Sequence, residues 1–222
     1  MTEIFSKLIA HHNWQEAHLD RLSVVRTYRV ENSKGKTVAK EVVTMKYRTP
    51  ESETFTIISG EGSAFVRNHV FQRLMKHEGK RIRDNKDPDS LITSKNYTLA
   101  VIGRERIGSS NCTIVHAIPK RKETDLFDGK MWIDDQDFAI VKITGHLAKS
   151  PSFWIKQVDF SRYYENIGGF WLLLREEAVS EVRIFGKETL TINFQKYSVN
   201  GLGEIHALAR SAAQSTRRGA DK

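Results

Sequence analysis

Residues 153–181 read FWIKQVDFSRYYENIGGFWLLLREEAVSE, in which two runs of aromatic and β-branched residues flank a turn sequence, NIGG, at residues 166–169. Two such runs around a short turn that contains glycine predict an antiparallel hairpin. The strand pieces between Phe153 and Val199 run to about 10–12 residues each, whereas the modal strand has about 5–6. Strands of this length twist, so a sheet of many of them either closes into a barrel or keeps an open concave face that needs a cover.

The same signals recur along the chain and predict a largely antiparallel β domain with two helices. The helices are expected at residues 2–18 and 63–78, the second ended by Gly79, and they are the predicted cover of the sheet. A polar, charged loop is expected at 80–89. The predicted strands are 22–30, 37–47, 53–59, 97–107, 113–118, 129–133, 138–147, 153–164, 170–181 and 182–199, the last with a kink at Gly186.

Length and charge bound the protein's class but leave its partner open. All-β domains run to about 200–250 residues, so the 222 residues are expected to form one domain. The formal net charge of +8 favours an anionic partner, which is nucleic acid, phospholipid headgroups or an acidic protein. From Ala207 to Lys222 no large apolar residue follows Leu208, so a frayed basic tail is predicted there. No stretch is apolar over the 18 or so residues of a membrane-spanning helix.

The sequence contains no arrangement of residues that proposes an enzyme, a metal site or a cofactor. A strand places His116 about 13 Å from the lone cysteine, Cys112, at about 3.3 Å per residue, which is too far for a catalytic pair. His11 and His12 point about 100° apart on a helix, so they are not joint metal ligands. The aspartates at 134–137 lack the glycine and glutamate of a calcium loop and are expected to form a hairpin turn. We predict a non-enzymatic protein without a cofactor.

Aromatic residues are concentrated on the late strands, where three of the four tryptophans fall. Each aromatic taken singly fits an ordinary core, because aromatics dominate β cores. As a group they offer more aromatic surface than one thin layer needs, which favours a space for a ligand. Together with apolar residues of the second helix, they give the candidate residues of an apolar ligand cavity, which are Trp132, Trp154, Phe160, Trp171, Val70 and Leu74.

Four short segments resemble bacterial outer-membrane lipoprotein-sorting (LolA-like) proteins. The resemblance extends over residues 22–199 and rests on GKMWID (129–134), FAIVK (138–142), SPSFWIK (150–156) and GFWL (169–172). It implies a mainly β (α+β) fold, with a curved antiparallel sheet that forms an incomplete β-barrel and helices that cover its concave face. In that family the helices form a lid over an apolar cavity that accepts acyl chains. A single LolA-like β domain is thus expected at residues 1–206, with the basic tail at 207–222.

The resemblance also implies a function, a location and one further residue. The expected function is that of an extracytoplasmic carrier in the periplasm, a mature form without its export signal, which holds lipid or lipoprotein acyl chains between sheet and lid. An inner- or outer-membrane protein is a further candidate partner. In the carrier a strand arginine followed by proline holds the lid closed. The segment KYRTP (46–50) is similar, with an intervening Thr49, so Arg48 is the candidate lid-locking residue.

Two other functions remain open from the sequence. One is a non-enzymatic regulatory or scaffold module of the cell envelope that recognises a protein partner. The other is a basic RNA-binding protein, whose binding would fall steeply with salt. The chain has no RRM, KH or zinc-finger pattern, so nucleic acid is not an expected partner.

Overall fold

The computed structural model describes residues 2–49, 52–83, 92–93, 95–150, 155–182 and 186–205. Its helices are α1 (Thr2–His18), α2 (Ala64–Val66) and α3 (Gln72–Arg83), with a π-helical segment (Arg67–Phe71) between the last two. Residues 64–83 are called the second helical region below. The strands are β1 (Arg21–Asn32), β2 (Thr37–Arg48), β3 (Ser52–Gly62), β4 (Tyr97–Ile107), β5 (Ser110–Pro119), β6 (Phe127–Asp134), β7 (Ile140–Leu147), β8 (Ile155–Ile167), β9 (Phe170–Val182) and β10 (Gly186–Val199).

The strands form one antiparallel sheet made of two meanders, β1 to β3 and β4 to β10. Pairing of β1 with β10 joins the meanders, and the strand order is β3-β2-β1-β10-β9-β8-β7-β6-β5-β4. The edges are therefore β3 and β4, which follow each other along the chain and are connected through the second helical region. In the described residues no ladder joins these two edges. The predicted curved, incomplete antiparallel barrel is confirmed.

The sheet has an inner face, defined here as the face that the helices cover. Burial alternates along β1, where Val24, Tyr28 and Val30 are buried together with one charged residue, Arg26. Successive side chains of a strand point to opposite faces, so these four residues share the inner face. Directly opposite residues on neighbouring strands share a face as well, which extends the assignment across the sheet through its register.

Helices and sheet enclose two clusters of buried apolar residues. The first cluster joins strands β1, β2, β9 and β10 to the second helical region, which contributes Phe71 and Met75. The second cluster joins strands β4 to β8 to α1, which contributes Leu8 with Ile4 and Phe5 packed beside it. Both predicted helices therefore cover the inner face, one over each half. Within the described ranges, neither helix is long and apolar enough to span a bilayer.

Several predicted boundaries differ from the structure: β3 continues to Gly62 rather than ending at residue 59, β5 begins at Ser110 rather than at residue 113, and three others have a clear physical setting. Gly79 does not end the second helix, which continues to Arg83; a glycine inside a helix costs about 1 kcal/mol, a preference that the context of the folded protein routinely overrides. The first residues of the predicted loop at 80–89 are therefore helical, and 84–89 lie outside the described residues. Strand β7 begins at Ile140 because Phe138 has φ 56°, which is not a strand conformation.

The last wrong boundary concerns the last predicted strand, at 182–199. Val182 is the last residue of β9, and β10 begins at Gly186, whose φ of 77° marks the bend between the two strands. The sequence predicted a kink at Gly186 within one strand, whereas the structure has a chain reversal there. Gly186 pairs with Val182 in the ladder between β9 and β10.

Candidate functional site

The inner face at the open edges of the sheet is the candidate functional site. On β3, Ile57 lies directly opposite Val43, which is fully buried in the first cluster. On β4, Val101 lies directly opposite Val115, which is fully buried in the second cluster. Ile57 and Val101 thus share the inner face with buried core residues, yet they are 48% and 49% exposed. At both edges the apolar core continues into surface that is open to solvent.

A bulge widens the apolar surface at each edge. The register shifts between Val42 and Val43 opposite β3, and between Val101 and Gly103 within β4. The additional residues are Ile58 and Ile102, which are 58% and 48% exposed. Bulges increase local twist and interrupt the ladder at the bulged position. The apolar side chains there are open to an apolar ligand.

An ion pair attaches the second helical region to the centre of the inner face. Arg26 of β1 donates two hydrogen bonds to the carboxylate of Glu78 on α3, with N–O distances of 2.7 and 2.9 Å. The guanidinium lies 4.9 Å from the ring centroid of Phe194 and 5.6 Å from that of Phe55. Burial opposes the charge of Arg26, but the Glu78 carboxylate outweighs it, so the pKa of Arg26 is raised. Arg26 therefore stays charged.

A second charged contact lies at the start of the same helical region. The carboxylate of Glu41, on the inner face of β2, is 2% exposed and 3.9 Å from the guanidinium of Arg67. Burial raises the pKa of Glu41, and Arg67 offsets part of that effect. The Arg67 side chain lies over Gly60, where an added Cβ would come within 2.6 Å of its guanidinium nitrogen. A side chain at position 60 would collide with Arg67, so Gly60 leaves the room that the contact between Arg67 and Glu41 needs.

The structure places three of the predicted cavity residues beneath or on the helices. Phe160 is buried in the second cluster and packs edge-on against Phe127, with ring centroids 5.5 Å apart. Val70 is partly buried against the first cluster. Leu74 is on α3, 37% exposed, and belongs to neither of the two clusters. Their role as ligand contacts stays a prediction.

The tryptophans are not brought together on the inner face. Met131 belongs to the second cluster, so its neighbour Trp132 points to the outer face, where it donates a hydrogen bond to Glu105 and lies 4.5 Å from the ammonium of Lys142. Trp171 packs beside Trp132 and donates its indole N–H to Asp137. Trp154 lies outside the described residues. Met131 and Trp132 are consecutive residues of one strand, so they point to opposite faces. This alternation was the sequence signal that could have placed Trp132 outside the cavity.

Arg48, the predicted lid-locking residue, is the last residue of β2. Its side chain is exposed, and in the ladders it lies opposite Arg21 and Ser52. The arginine that bonds to the helical region is Arg26, which sequence reasoning missed because its carboxylate partner is 52 positions away. A charged residue at an inward position of a strand was the available signal. The locking role of Arg48 stays a prediction.

The described residues offer little support for a nucleophilic cysteine or for a metal site. Cys112 is buried, and burial raises the pKa of its thiol to about 11, so it is a thiol at neutral pH. The part of the chain described by the structure has no group of three histidine, cysteine, aspartate or glutamate residues placed to hold a metal ion. Asp134 accepts hydrogen bonds from the backbone N–H groups of Gln136 and Asp137, as a hairpin turn requires. The absence of enzymatic activity stays a prediction.

Comparison with solved structures gives matches that cover most of the chain at low identity. A putative outer membrane lipoprotein-sorting protein domain from Vibrio parahaemolyticus is 9% identical, with 86% of this chain and 92% of that chain covered and a TM-score of 0.42. A LolA superfamily protein from Nitrosomonas europaea is 11% identical, with 89% and 92% covered and a TM-score of 0.40. The MucA/MucB complex of Pseudomonas aeruginosa gives 10% identity, 89% and 95% covered, and a TM-score of 0.29.

These matches concern the fold. The open ten-stranded antiparallel sheet with its helical cover is the fold that the resemblance in the sequence implied. No family model matches the chain, and no curated protein matches it either.

Proposed function

We propose that the protein is a non-enzymatic carrier that binds the acyl chain of a lipid or lipoprotein on the inner face of its open sheet, beside the second helical region. The observation that carries the proposal is the half-exposed apolar surface at both edges, where Ile57 and Val101 extend the buried core toward solvent. Apolar surface that is open to water on a concave face favours an apolar ligand.

The energetics favour an alkyl chain as the occupant. Burial of apolar surface contributes about 25 cal/mol per Å², or about 0.8 kcal/mol per methylene, without any directional bond. A flexible chain can follow the bulged edges at Ile58 and Ile102, which a rigid ring system would contact at few points. No covalent step is needed, which agrees with the raised pKa of the only thiol, Cys112.

The second helical region is suited to move as the cover. It contributes no strand to the sheet, so its displacement breaks no ladder. Charged contacts hold it at two points, Glu41 with Arg67 at its start and Arg26 with Glu78 near its end. Glu78 is 41% exposed, so water can solvate its carboxylate when the pair opens. The ion pair with Glu78 supports a lid-locking role for Arg26, and Arg48 remains the other candidate for that role.

Displacement of a fluorescent fatty-acyl probe tests the proposal. Ile57→Glu and Val101→Glu place a charge on the inner face at the edges, and each should weaken probe binding by about tenfold or more. Thr56→Glu and Thr98→Glu are matched controls, because these two exposed threonines lie on the same strands and point to the outer face. They should change binding by less than about twofold. Equal losses in both pairs, or a wild-type protein that binds no probe and carries no lipid, would reject acyl binding.

A second candidate function is recognition of a protein partner, which the open edges support. The free edge of β4 has no neighbouring strand in the described sheet over its 11 residues, and such an edge can pair with an extended peptide. A wild-type protein that binds no acyl probe but forms a stoichiometric complex, lost when Ile102 is replaced by proline, would favour this function. Either function is proposed for the periplasm, which fractionation of cells that express the natural gene would test.

A further inference from the structure

The two ends of the sheet carry opposite charge. Antiparallel pairing puts the β1–β2, β5–β6, β7–β8 and β9–β10 connections at one end. The second helical region begins there too, because Gly62 lies opposite Ala39, and so does β4, because Tyr97 lies opposite Pro119. We call this the helix end. Its described connections, 33–36, 63, 92–93, 95–96, 120–126 and 148–150, contain seven basic and two acidic residues, which are Lys34, Lys36, Lys95, Lys120, Arg121, Lys122 and Lys149 against Glu123 and Asp125.

The other end of the sheet is acidic. Its described connections are 19–20, 49, 108–109, 135–139, 168–169 and 200–205. They contain four acidic residues and no lysine or arginine; the four are Asp20, Asp135, Asp137 and Glu204. The described connections are therefore basic at the helix end and acidic at the other end. An anionic surface attracts the helix end through these basic residues.

An exposed aromatic residue stands at the same end. Phe65, in the first turn of the second helical region, is 69% exposed and stacks on the ring of His69, with centroids 4.3 Å apart. It belongs to neither of the two clusters on the inner face. Further along the region, Arg73 and Lys76 are exposed. The sequence from 64 to 83 contains six lysines and arginines and one glutamate, a composition typical of helices that bind anionic bilayers.

We propose that the helix end docks on an anionic phospholipid bilayer, with Phe65 in the interfacial layer and the basic residues of the helix-end connections against the headgroups. Lysines near such a surface add attraction that salt screens, and an interfacial aromatic adds an apolar contribution that salt leaves unchanged. The basic residues lie on separate loops around one end of the sheet rather than along a groove. This arrangement fits a flat surface better than a strand of nucleic acid. The proposal does not depend on a bound acyl chain.

Vesicle flotation with the full chain tests the proposal. Wild-type protein should float with phosphatidylcholine vesicles that contain about one third phosphatidylglycerol, should do so less at high salt, and should not float with phosphatidylcholine alone. Lys34→Glu/Lys36→Glu should weaken this binding by about tenfold or more. Both lysines are exposed in the β1–β2 turn, so folding is preserved. Phe65→Ser should weaken binding at both salt concentrations.

The matched control is Lys46→Glu/Arg104→Glu, which makes the same change in charge. Both residues are exposed, on β2 and β4, and they lie outside the connections of the helix end. This control should change vesicle binding by less than about twofold. Equal losses for the two double variants would overturn the proposal, as would equal binding to both vesicle types. Salt-sensitive binding of a single-stranded RNA without vesicle binding would overturn it in favour of nucleic acid. None of these outcomes bears on the acyl-probe assay.

Discussion

The two halves of the inner face are covered by helices that are attached in different ways. Over β4 to β8, α1 packs through Ile4, Phe5 and Leu8, and its C-terminal end is fixed to the sheet. There Asn200 accepts hydrogen bonds from the backbone of Asp20 and Arg21 and donates one to the carbonyl of His18. Gln15 both donates to and accepts from the backbone of Trp171. This helix is a fixed wall of the core.

The cover of the other half is attached by apolar packing and by charged side chains. Phe71 and Met75 enter the first cluster, and Arg26 and Arg67 form ion pairs across the interface with the sheet. Nonpolar packing alone would hold the region in many similar positions, whereas a bidentate ion pair selects one. The fixed helix is held by neutral hydrogen bonds between side chains and backbone, whereas the second helical region is held by charged side-chain pairs, which water can solvate when they open.

The largest expected effect compares the apolar anchors of the two covers. Phe71→Ala removes a fully buried ring that packs 5.5 Å from the ring of Tyr28, and should lower the free energy of unfolding by about 4 kcal/mol. Leu8→Ala on α1 removes a smaller, 8% exposed side chain and should cost about 2 kcal/mol. Urea denaturation of both variants measures the difference. A larger loss for Leu8→Ala would break the comparison, because α1 would then be the main anchor.

The next effect tests the ion pair itself. Glu78→Ala leaves the buried guanidinium of Arg26 without its carboxylate and should cost about 3 kcal/mol. Glu176→Ala is the control, because the side chain of its partner Arg162 is 35% exposed whereas that of Arg26 is 5% exposed, and it should cost about 1 kcal/mol or less. Hydrogen exchange should accelerate in residues 64–83 of Glu78→Ala while α1 stays protected.

Arg26→Met separates the charge from the packing. Methionine can keep the apolar contacts with Phe55 and Phe194 without a buried charge, so this variant should lose less than about 1 kcal/mol. Its second helical region should still exchange faster than in the wild type, because the bidentate contact is gone. Unchanged exchange in residues 64–83 of both variants would show that the pair does not hold the cover.

The sequence predicts the strands well because their signal is local. Alternation along residues 22–30 and 37–47 requires only neighbouring residues, and the short turns between late strands determine hairpin partners. The pairing of β1 with β10 joins Leu22 to Val199, and no local pattern can indicate a contact over that separation. The resemblance to a known family, rather than periodicity, implied the open barrel.

The candidate site was predicted less well than the fold. Trp132 was grouped with other aromatics by residue type, although its parity relative to Met131 puts it on the outer face. Arg26 stands at an inward position of β1, but its pairing with Glu78 has no local signal in the sequence, because it depends on how far α3 extends past Phe71. No local pattern indicates the half-exposed state of Ile57 either, since it depends on β3 being an edge strand of the described sheet.

The smallest expected effect concerns pH and the start of the second helical region. Burial raises the pKa of Glu41 in the folded protein above its unfolded value, so the protonated form favours folding. That contribution is complete below the unfolded pKa and is lost as pH rises through the folded pKa. Glu41→Gln cannot ionise, so its stability relative to the wild type should increase between about pH 4 and pH 7.

Urea denaturation of the wild type and Glu41→Gln at both pH values measures this change. Glu61→Gln is the control, because this exposed carboxylate lies on the neighbouring strand and pairs with Lys40. If the relative stability of Glu41→Gln instead falls as pH rises, the ionised carboxylate is stabilised by Arg67 more than burial penalises it. The contact at 3.9 Å would then be a second firm attachment, and the cover would be fixed at its start and released only near Glu78.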